Sequence, residues 1–413
     1  MKNRILLILF STIVLSFSLS FAKKSKTVKI KFYGASADYN QQMVQGFEKA
    51  NPNIKVEIVP VDYPNAEQVI KTGISSGNPV DVSFFWGSAM STFVDADMAL
   101  DLSKYLMANR KKWYNTFVQK FIDAGKFGKK WYAISYQPVI ETFFINEDLF
   151  KEHNLQIPKT VEDMKNVAAK LKEKDLYGFG CWQGYHHQML PWTYQIYANN
   201  GVLKDATAGK LPFAGQKETP GLRQNLELIK EIYDNGYWYP GEGALTATKE
   251  QVQSAWYQGK IAMVFDANSD ALKFEKEASF KVWAIPFPLI KAGGKYTVNV
   301  ITNALFIPAN AKNPKEGVEF MKYYTSPAGQ AITNASGRPP STKAAQGSVE
   351  NALVKEILSH TRLPNSEGYS HLQNISPEVG NYFTKIVSGV CAGQSIDDAL
   401  NELEKLRLKA QKK

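Results

Sequence analysis

Alternating and continuous apolar runs divide the first third of the chain into strands and helices. Apolar and basic residues alternate over 27–32, and the run over 80–86 is almost entirely apolar, which is typical of a central strand buried on both faces. The pattern predicts strands over 27–32, 54–61 and 80–86, with helices from about 38 to 51 and over 64–76. This alternation predicts a doubly wound α/β sheet, in which ligands lie beyond the carboxyl ends of the strands.

The stretch 131–150 separates this region from a strongly helical remainder. It predicts a strand, a pause at Pro138, a second strand over 139–145 and then a helix start. Because no loose linker follows, the stretch indicates an ordered crossing between two lobes. Tyr136 and Gln137 are expected at this hinge.

Beyond the crossing, Thr160 and Asp163 form a capping-box-like start for a helix that runs to about 173. The later pattern predicts strands over 177–182, 259–266, 280–285 and 298–308, helices around 188–200, 220–235 and 249–258, and a helical region from 313 onward. We expect the strand over 259–266 to carry the chain back to the first lobe.

The first residues have the composition of a targeting signal. Lys2 and Arg4 precede an apolar run over 5–15, and Ala22 ends a short cleavable sequence. We expect a signal peptide at 1–22, with an uncleaved anchor helix as the alternative. Cleavage would leave 413 − 22 = 391 residues. No cysteine lies near Ala22, so we expect no lipid anchor. The mature protein is expected to be periplasmic.

Composition and charge narrow the class of protein. A hydrophobic content of 44% fits a globular chain, and its length favours two domains. The net charge of +10 becomes +8 without Lys2 and Arg4. Because the excess lysines are mostly scattered rather than clustered with arginine, we expect no nucleic acid partner. Cys181 and Cys391 fit two buried thiols at least as well as one long-range disulfide.

The sequence shows no catalytic constellation, and we expect neither a cofactor nor a metal. The G-x-S-x-G pattern at 73–77 follows a helix, whereas a nucleophile elbow follows a strand. Glu141 and Glu147 are close in sequence, which is typical of solvated acids. The adjacent His186 and His187 lack the spacing of zinc ligands.

The positive signal is a set of aromatic and amide side chains at strand ends and in loops. Tyrosine and tryptophan can stack on a sugar ring, and amides both donate and accept hydrogen bonds. This mixture favours a neutral polyhydroxylated ligand, with core packing as the alternative for each aromatic residue. The set comprises Tyr33, Tyr63, Trp86, Tyr136, Trp182, Tyr185 and Trp192, with Gln137, Gln183, Asp266, Asn268, Asn299 and Asn303. Arg338 lies in loop-like sequence and fits either the site or a salt bridge.

Several stretches together resemble the extracellular solute-binding proteins, family 1, of ABC importers, in the maltose-binding-like carbohydrate group. They are 47–56, 76–82, 143–150, 158–163, 259–263, 309–327 and 337–341. The resemblance implies a two-lobed periplasmic-binding-protein type II fold with a central cleft. It implies chain crossings near 134–138, 263–268 and 305–310. The expected lobes are 23–134 with 267–306, and 135–266 with 307–413.

The resemblance also implies a ligand in the cleft, lobes that close over it, and permease subunits as partners of a monomer. It adds Gly34 and Gly87 to the expected cleft lining. The chain departs from many relatives at 298–303, where they carry a Gly-Gly-Trp-like run, and the 182–192 loop matches no family template.

The sequence therefore predicts a binding protein that captures a sugar or oligosaccharide for a membrane importer and is not an enzyme. One alternative is a binding protein for a polyamine, an amino acid or glycerol phosphate. The other is an exported carbohydrate-active enzyme, which would need two carboxyl groups about 5–10 Å apart across the cleft.

Overall fold

A computed structural model describes residues 27–34, 38–61, 65–299, 301–369, 372 and 375–412. The expected signal peptide and Tyr63 lie outside these residues. Within the described part of the chain, every helix is too short or too polar to cross a lipid bilayer.

The first part of the fold is built on a five-stranded sheet. Its strands, in chain order, are β1 (Val28–Gly34), β2 (Ile54–Pro60), β3 (Val82–Trp86), β6 (Ile134–Val139) and β12 (Ile301–Phe306). They lie in the order β2-β1-β3-β12-β6, with β12 antiparallel to both of its neighbours. The first three strands confirm the predicted alternation, with α1 (Asp38–Ala50) and α2 (Ala66–Ser75) between them.

Helices cover both faces of this sheet, because successive side chains of a buried strand point to opposite sides. On one face Phe32 and Phe84 pack in a core with Phe47 of α1 and with Phe320. On the other face Phe85 joins the residues of α2. The Phe320 side chain belongs to α14 (Pro314–Tyr324), which is followed by α15 (Pro327–Ala335).

The second sheet has four strands, β7 (Glu141–Asn146), β8 (Tyr177–Gly180), β9 (Ile261–Ala267) and β10 (Val282–Ile285), in the order β10-β7-β9-β8. Phe143 and Phe265 face one core, and Phe144 and Val264 face the other. The flanking helices include α8 (Val161–Lys172), α9 (Pro191–Asn199), α11 (Leu222–Asp234), α12 (Lys249–Tyr257), α13 (Ala271–Glu277), α17 (Ala352–His360), α18 (Pro377–Cys391) and α19 (Ile396–Gln411). The predicted capping box of α8 is confirmed, since Thr160 and Asp163 bond reciprocally.

Short elements complete the described chain. The strands are β4 (Lys126–Phe127), β5 (Lys130–Trp131), β11 (Tyr296–Asn299) and β13 (Ser366–Tyr369). The helices are α3 (Ser91–Val94), α4 (Ser103–Leu106), α5 (Ala108–Lys111), α6 (Gln119–Asp123), α7 (Glu147–Glu152), α10 (Leu203–Thr207) and α16 (Lys343–Gly347). The 3-10 helices are Gly87–Ala89, Tyr114–Thr116, Gln183–Met189, Gly241–Leu245 and Asn268–Asp270. The strand predicted over 298–308 is thus divided between β11 and β12.

The chain passes between the two sheets at positions that differ in part from the expected crossings. The first passage is Ile140, between β6 and β7. The second lies between β11 and β12, and the third lies between α15 and α17. The crossings expected near 263–268 and 305–310 are wrong. The chain stays with the second sheet after β9, where β10 pairs with β7, and with the first sheet after β12, where α14 packs beside β1.

The expected lobe boundaries differ from the sheets for the same reason. β10, within 267–306, pairs in the second sheet, whereas β6 and the helices α14 and α15 accompany the first. The predicted pause at Pro138 is also wrong, because Pro138 lies inside β6 opposite Thr302. An edge strand tolerates a proline, and β6 pairs on one side only.

Candidate functional site

Strand directions bring one edge of each sheet together. In the first sheet β1, β3 and β6 run in the same direction, so their carboxyl ends share an edge with the amino end of β12. In the second sheet the carboxyl ends of β8 and β9 lie beside the amino end of β7. Because Ile140 alone joins the end of β6 to the start of β7, these two edges adjoin each other. They form the candidate cleft.

Three of the predicted site residues lie side by side at the first edge. Asn303 is paired with Trp86 on one side and with Gln137 on the other. Trp86 is half-buried, and its ring meets Phe84 and Phe85 edge-on with centroids 5.5 and 5.1 Å away. The Gln137 side chain is buried, and its Oε1 has no hydrogen-bond partner among the described residues.

Close packing explains the two glycines at this edge. A side-chain carbon on Gly87 would lie 2.4 Å from Thr302 Oγ1, and one on Gly34 would lie 2.5 Å from the Phe32 ring. Tyr33, next to Gly34 in β1, is half-buried and packs beside the core that contains Phe85. At Gly87, the end of β3 can therefore approach β12 without a side chain filling the edge.

Other predicted aromatic residues pack in the interior. Tyr136 is buried against Tyr324, with ring centroids 4.7 Å apart, so its side chain belongs to the first-sheet core. Trp192 is fully buried and donates to the carbonyl of Pro288 at 2.9 Å. Both side chains therefore pack in the core, which was the alternative expected for each aromatic residue.

Arg338 lies beside the amino end of α1. Its guanidinium stacks over the Tyr39 ring, 4.5 Å from the centroid, and no described carboxylate forms a salt bridge with it. Gly337, just before it, packs so closely on Leu272 of α13 that a side-chain carbon would lie 2.4 Å from Leu272 Cγ. Since α13 flanks the second sheet, Arg338 lies where the two halves meet. Asn299 ends β11, and its side chain is outside the described part of the structure.

The second edge carries a stacked aromatic pair. The rings of Trp182 and Tyr185 are 5.3 Å apart and nearly parallel, at 15°. Gly184 lies against the same indole, because a side-chain carbon there would be 2.0 Å from the Trp182 ring. Gln183, between them in the chain, is exposed. Both rings are half-buried, which leaves part of their surface toward solvent.

Asp266 lies near the end of β9, buried beneath this pair. Its Oδ1 accepts a hydrogen bond from the backbone N–H of Ala267 at 2.8 Å, and its Oδ2 is 3.5 Å from Lys249 Nζ. Burial raises the pKa of Asp266 to about 7, and the negative charge of Asp270 acts in the same direction. The ammonium of Lys249 opposes the rise.

Glu141, at the start of β7, is a second buried carboxylate at this edge, and the expectation that it is solvated is wrong. It pairs in register with Ala267, next to Asp266, and is only 8% exposed. Burial raises the pKa of Tyr185 well above its usual value, and the charges of Glu141 and Asp266 add to this. Glu147, the other acid of the pair considered from the sequence, instead forms an ion pair with Lys281 at 2.8 Å.

The two histidines of the 182–192 loop have separate surroundings. His186 is fully buried, its Nδ1 lies 2.9 Å from Ser388 Oγ, and its ring meets Trp238 edge-on. His187 lies beside Tyr185 and 3.0 Å from the side-chain nitrogen of Gln188. Burial lowers the pKa of both imidazoles to about 4, so both are neutral at pH 7.

Several buried polar atoms at the two edges have no hydrogen-bond partner in the described part of the structure. Such atoms are costly in a protein interior, and a functional role, a bound water or an ion commonly accounts for them. They include both donors and acceptors: Gln137 Oε1, Thr302 Oγ1, Trp182 Nε1, Gln188 Oε1, Asp266 Oδ2 and Asn268 Nδ2. Among the described residues, no three His, Cys, Asp or Glu side chains are grouped so that they could hold a metal ion.

Side chains also fix the passages between the sheets. Asn268 holds Ile140 through both backbone groups, accepting from its N–H at 2.7 Å and donating a backbone N–H to its carbonyl at 3.0 Å. Gln330 of α15 connects Tyr136 to Ser341, donating to the carbonyl of the first and accepting from the N–H of the second. No sequence pattern points to Gln330, because its role depends on burial between distant segments.

Known proteins share this architecture. The chain is 18% identical to the GacH receptor of Streptomyces glaucescens, whose unliganded and acarbose-bound structures are known, with a TM-score of 0.77 over 94% of this chain and 99% of that one. It is 24% identical to the multiple sugar-binding protein of Streptococcus mutans, over 78% of this chain and 76% of that protein. A putative binding protein of Brucella abortus is 26% identical over 71% and 70%.

The two sheets with helices on both faces, and the structural similarity over nearly the whole chain, confirm the expected two-lobed fold of type II binding proteins. The model of the family described as bacterial extracellular solute-binding protein matches residues 33–331. The chain belongs to the bacterial extracellular solute-binding protein family.

Proposed function

We propose that this protein captures a sugar or oligosaccharide in the cleft between its two sheets and delivers it to the permease of an ABC importer. The observation that carries the proposal is the mixed set of buried donors and acceptors at the two sheet edges, together with the Trp182–Tyr185 pair. Sugar hydroxyl groups donate and accept hydrogen bonds, and their C–H faces stack on aromatic rings. The family membership and the sugar-binding names of its relatives support the same reading.

The arrangement of carboxylates supports capture without covalent chemistry. A glycoside hydrolase places two carboxyl groups on opposite sides of the scissile bond. Here the buried Glu141 and Asp266 lie on the paired strands β7 and β9 at one sheet edge, but one position out of register, so their side chains point to opposite faces of the sheet. Neither carboxylate therefore faces the other across an open groove.

Export, a monomeric state and permease contacts are parts of the same proposal. The family is extracellular by description, and the basic and apolar N-terminal sequence supports export with cleavage after Ala22. The mass of the protein secreted by its host would establish the cleavage site. Light scattering of the purified mature chain would establish the oligomeric state.

A thermal-shift screen of the mature chain tests the proposed ligand class. The panel contains neutral mono- and oligosaccharides, polyamines, amino acids and glycerol phosphate. A ligand that binds only the folded state raises the melting temperature by mass action, by an amount that grows with its concentration relative to Kd. We expect at least one neutral sugar to do so. A shift with a polyamine, an amino acid or glycerol phosphate and with no sugar would contradict the proposal.

A further inference from the structure

Lys249 lies beside the aromatic pair of the second edge, between two carboxylates that come from another part of the chain. Its Nζ is 2.8 Å from Asp270 Oδ2, 3.5 Å from Asp266 Oδ2 and 5.6 Å from the centroid of the Trp182 ring. We propose that Lys249 is a positioning residue that holds Asp266 ionised and available as a hydrogen-bond acceptor for ligand hydroxyl groups. This inference rests on the proposed function.

The place of Lys249 in its helix shows that helix stability does not account for it. Lys249 is the first residue of α12, directly after the N-cap Thr248 and inside the capping box that Thr248 forms with Gln251. A cation in the first turn meets the positive end of the helix dipole, which disfavours it. The two aspartates offset this cost, so the lysine is stabilised by the cleft edge rather than by its own helix.

The geometry divides the work between the two aspartates. Asp270 makes the short charged hydrogen bond to Lys249. At 3.5 Å, Asp266 Oδ2 is too far for a good hydrogen bond, and it has no hydrogen-bond partner in the described chain. Lys249 therefore supplies Asp266 with a nearby positive charge while leaving the acceptor oxygen unused. Because Asp266 is only 2% exposed, a ligand hydroxyl group can donate to that oxygen once the two sheet edges separate enough to uncover it.

The groups that face Asp266 come from each neighbouring element. Lys249 and Tyr257 come from α12, and Asp270 from the turn after β9. Thr142 of β7 lies opposite Asp266 in register, and Cys181 and Tyr185 come from the end of β8 and the loop that follows it. Burial and the negative charge of Asp270 raise the pKa of Asp266, Lys249 lowers it, and the net pKa is about 7. The two neighbours thus act on the same carboxylate in opposite directions.

The sign of the pH dependence follows. If the ligand binds ionised Asp266, affinity is highest above pH 7 and decreases as the pH falls through the pKa of this carboxyl. Lys249→Met removes the positive charge, which moves the midpoint to higher pH. A rise of one pKa unit would reduce the ionised fraction at pH 7 from about one half to about one tenth, so affinity would fall about fivefold. Asp270→Asn moves the midpoint to lower pH.

Two measurements test this proposal. Isothermal titration from pH 5.5 to 8.5 uses the sugar that gives the largest thermal shift, with wild type, Lys249→Met, Lys249→Arg and Asp270→Asn. We expect the midpoints of Met and Asn variants to move in opposite directions and the Arg variant to keep the wild-type profile. Circular dichroism and melting temperature establish that each variant is folded.

The second measurement needs no ligand. Carbon-13 NMR follows the titration of the Asp266 carboxyl, identified by its disappearance in Asp266→Asn, in wild type and in Lys249→Met. The inference is overturned if Lys249→Met leaves this titration unchanged, or if it lowers affinity equally at every pH. If the carboxyl titrates as expected but no sugar binds wild type at any pH, the proposed function fails and the charge coupling stands.

Discussion

Gln330 provides a quantitative test of how the connections between the lobes are stabilised. This fully buried side chain donates to the carbonyls of Tyr136 and Tyr324 at 3.0 and 3.3 Å. Its Oε1 accepts from the backbone N–H groups of Ser341 and Thr342 at 2.8 and 3.3 Å. It thereby joins the strand before the first passage to the segment that forms the third passage.

The cost of Gln330→Ala can be worked from these four bonds. Each buried backbone group left without a partner costs at least about 1 kcal/mol, so four of them cost about 4 kcal/mol before any cavity term. A typical domain is stable by about 5–15 kcal/mol. We therefore expect the variant to fold with a clearly lower free energy of unfolding.

Urea denaturation followed by circular dichroism measures this loss, and Gln346→Ala is the matched control. Gln346 is half-buried and makes a single bond, from its Nε2 to the carbonyl of Pro340 at 3.0 Å. Its removal should cost about 1 kcal/mol or less. If Gln330→Ala cost no more than the control, Gln330 would not stabilise the hinge region as we describe.

Three further predictions concern His186, the Trp182–Tyr185 pair and the two cysteine thiols. Burial lowers the pKa of His186 from 6.5 to about 4. Its contribution to the free energy of unfolding should therefore be complete above pH 6.5 and decrease by up to about 3 kcal/mol as the pH falls to 4. Denaturation of wild type and His186→Gln measures this decrease. Trp182→Ala should weaken sugar binding about tenfold or more in calorimetry, while Trp182→Phe retains much of the affinity. Cys181 and Cys391 are buried and unbridged, so Ellman's reagent should react with neither in the native protein and with both after unfolding without reductant.

Each of these has a clear contrary result. A stability profile that is flat from pH 6.5 to 4, or one that His186→Gln leaves unchanged, would show that the imidazole is not held neutral by burial. Equal affinities of wild type and Trp182→Ala would show that the Trp182–Tyr185 pair does not contribute to sugar binding. Unfolded protein without reactive thiols would indicate a disulfide.

Local pattern was sufficient for the elements but not for the connections between lobes. The alternation before 86 and the Thr160 capping box predict elements that depend on neighbours in sequence, and the structure contains them. The second and third passages depend on which strands pair. The pairing of β10 with β7 is a contact between residues far apart in the chain, which periodicity does not encode.

The candidate site shows the same limit. Trp86, Gln137 and Asn303 could be named because polar and aromatic residues at strand ends are unusual, and the sheet register brings them together. Tyr136 has the same sequence character, but the alternation of side chains across β6 directs it into the core. Glu141 and Lys249 were missed because the burial of a charge depends on the partners that the fold supplies.

Hydrogen–deuterium exchange with and without saturating sugar tests the central claim most directly, using the sugar that gives the largest thermal shift. A ligand held between the sheets should protect backbone amides at both edges, in segments around 86–87 and 301–303 and around 182–188 and 266–268. Protection at both edges is the result we predict. Protection confined to one edge, or located away from both, would contradict a binding site in this cleft.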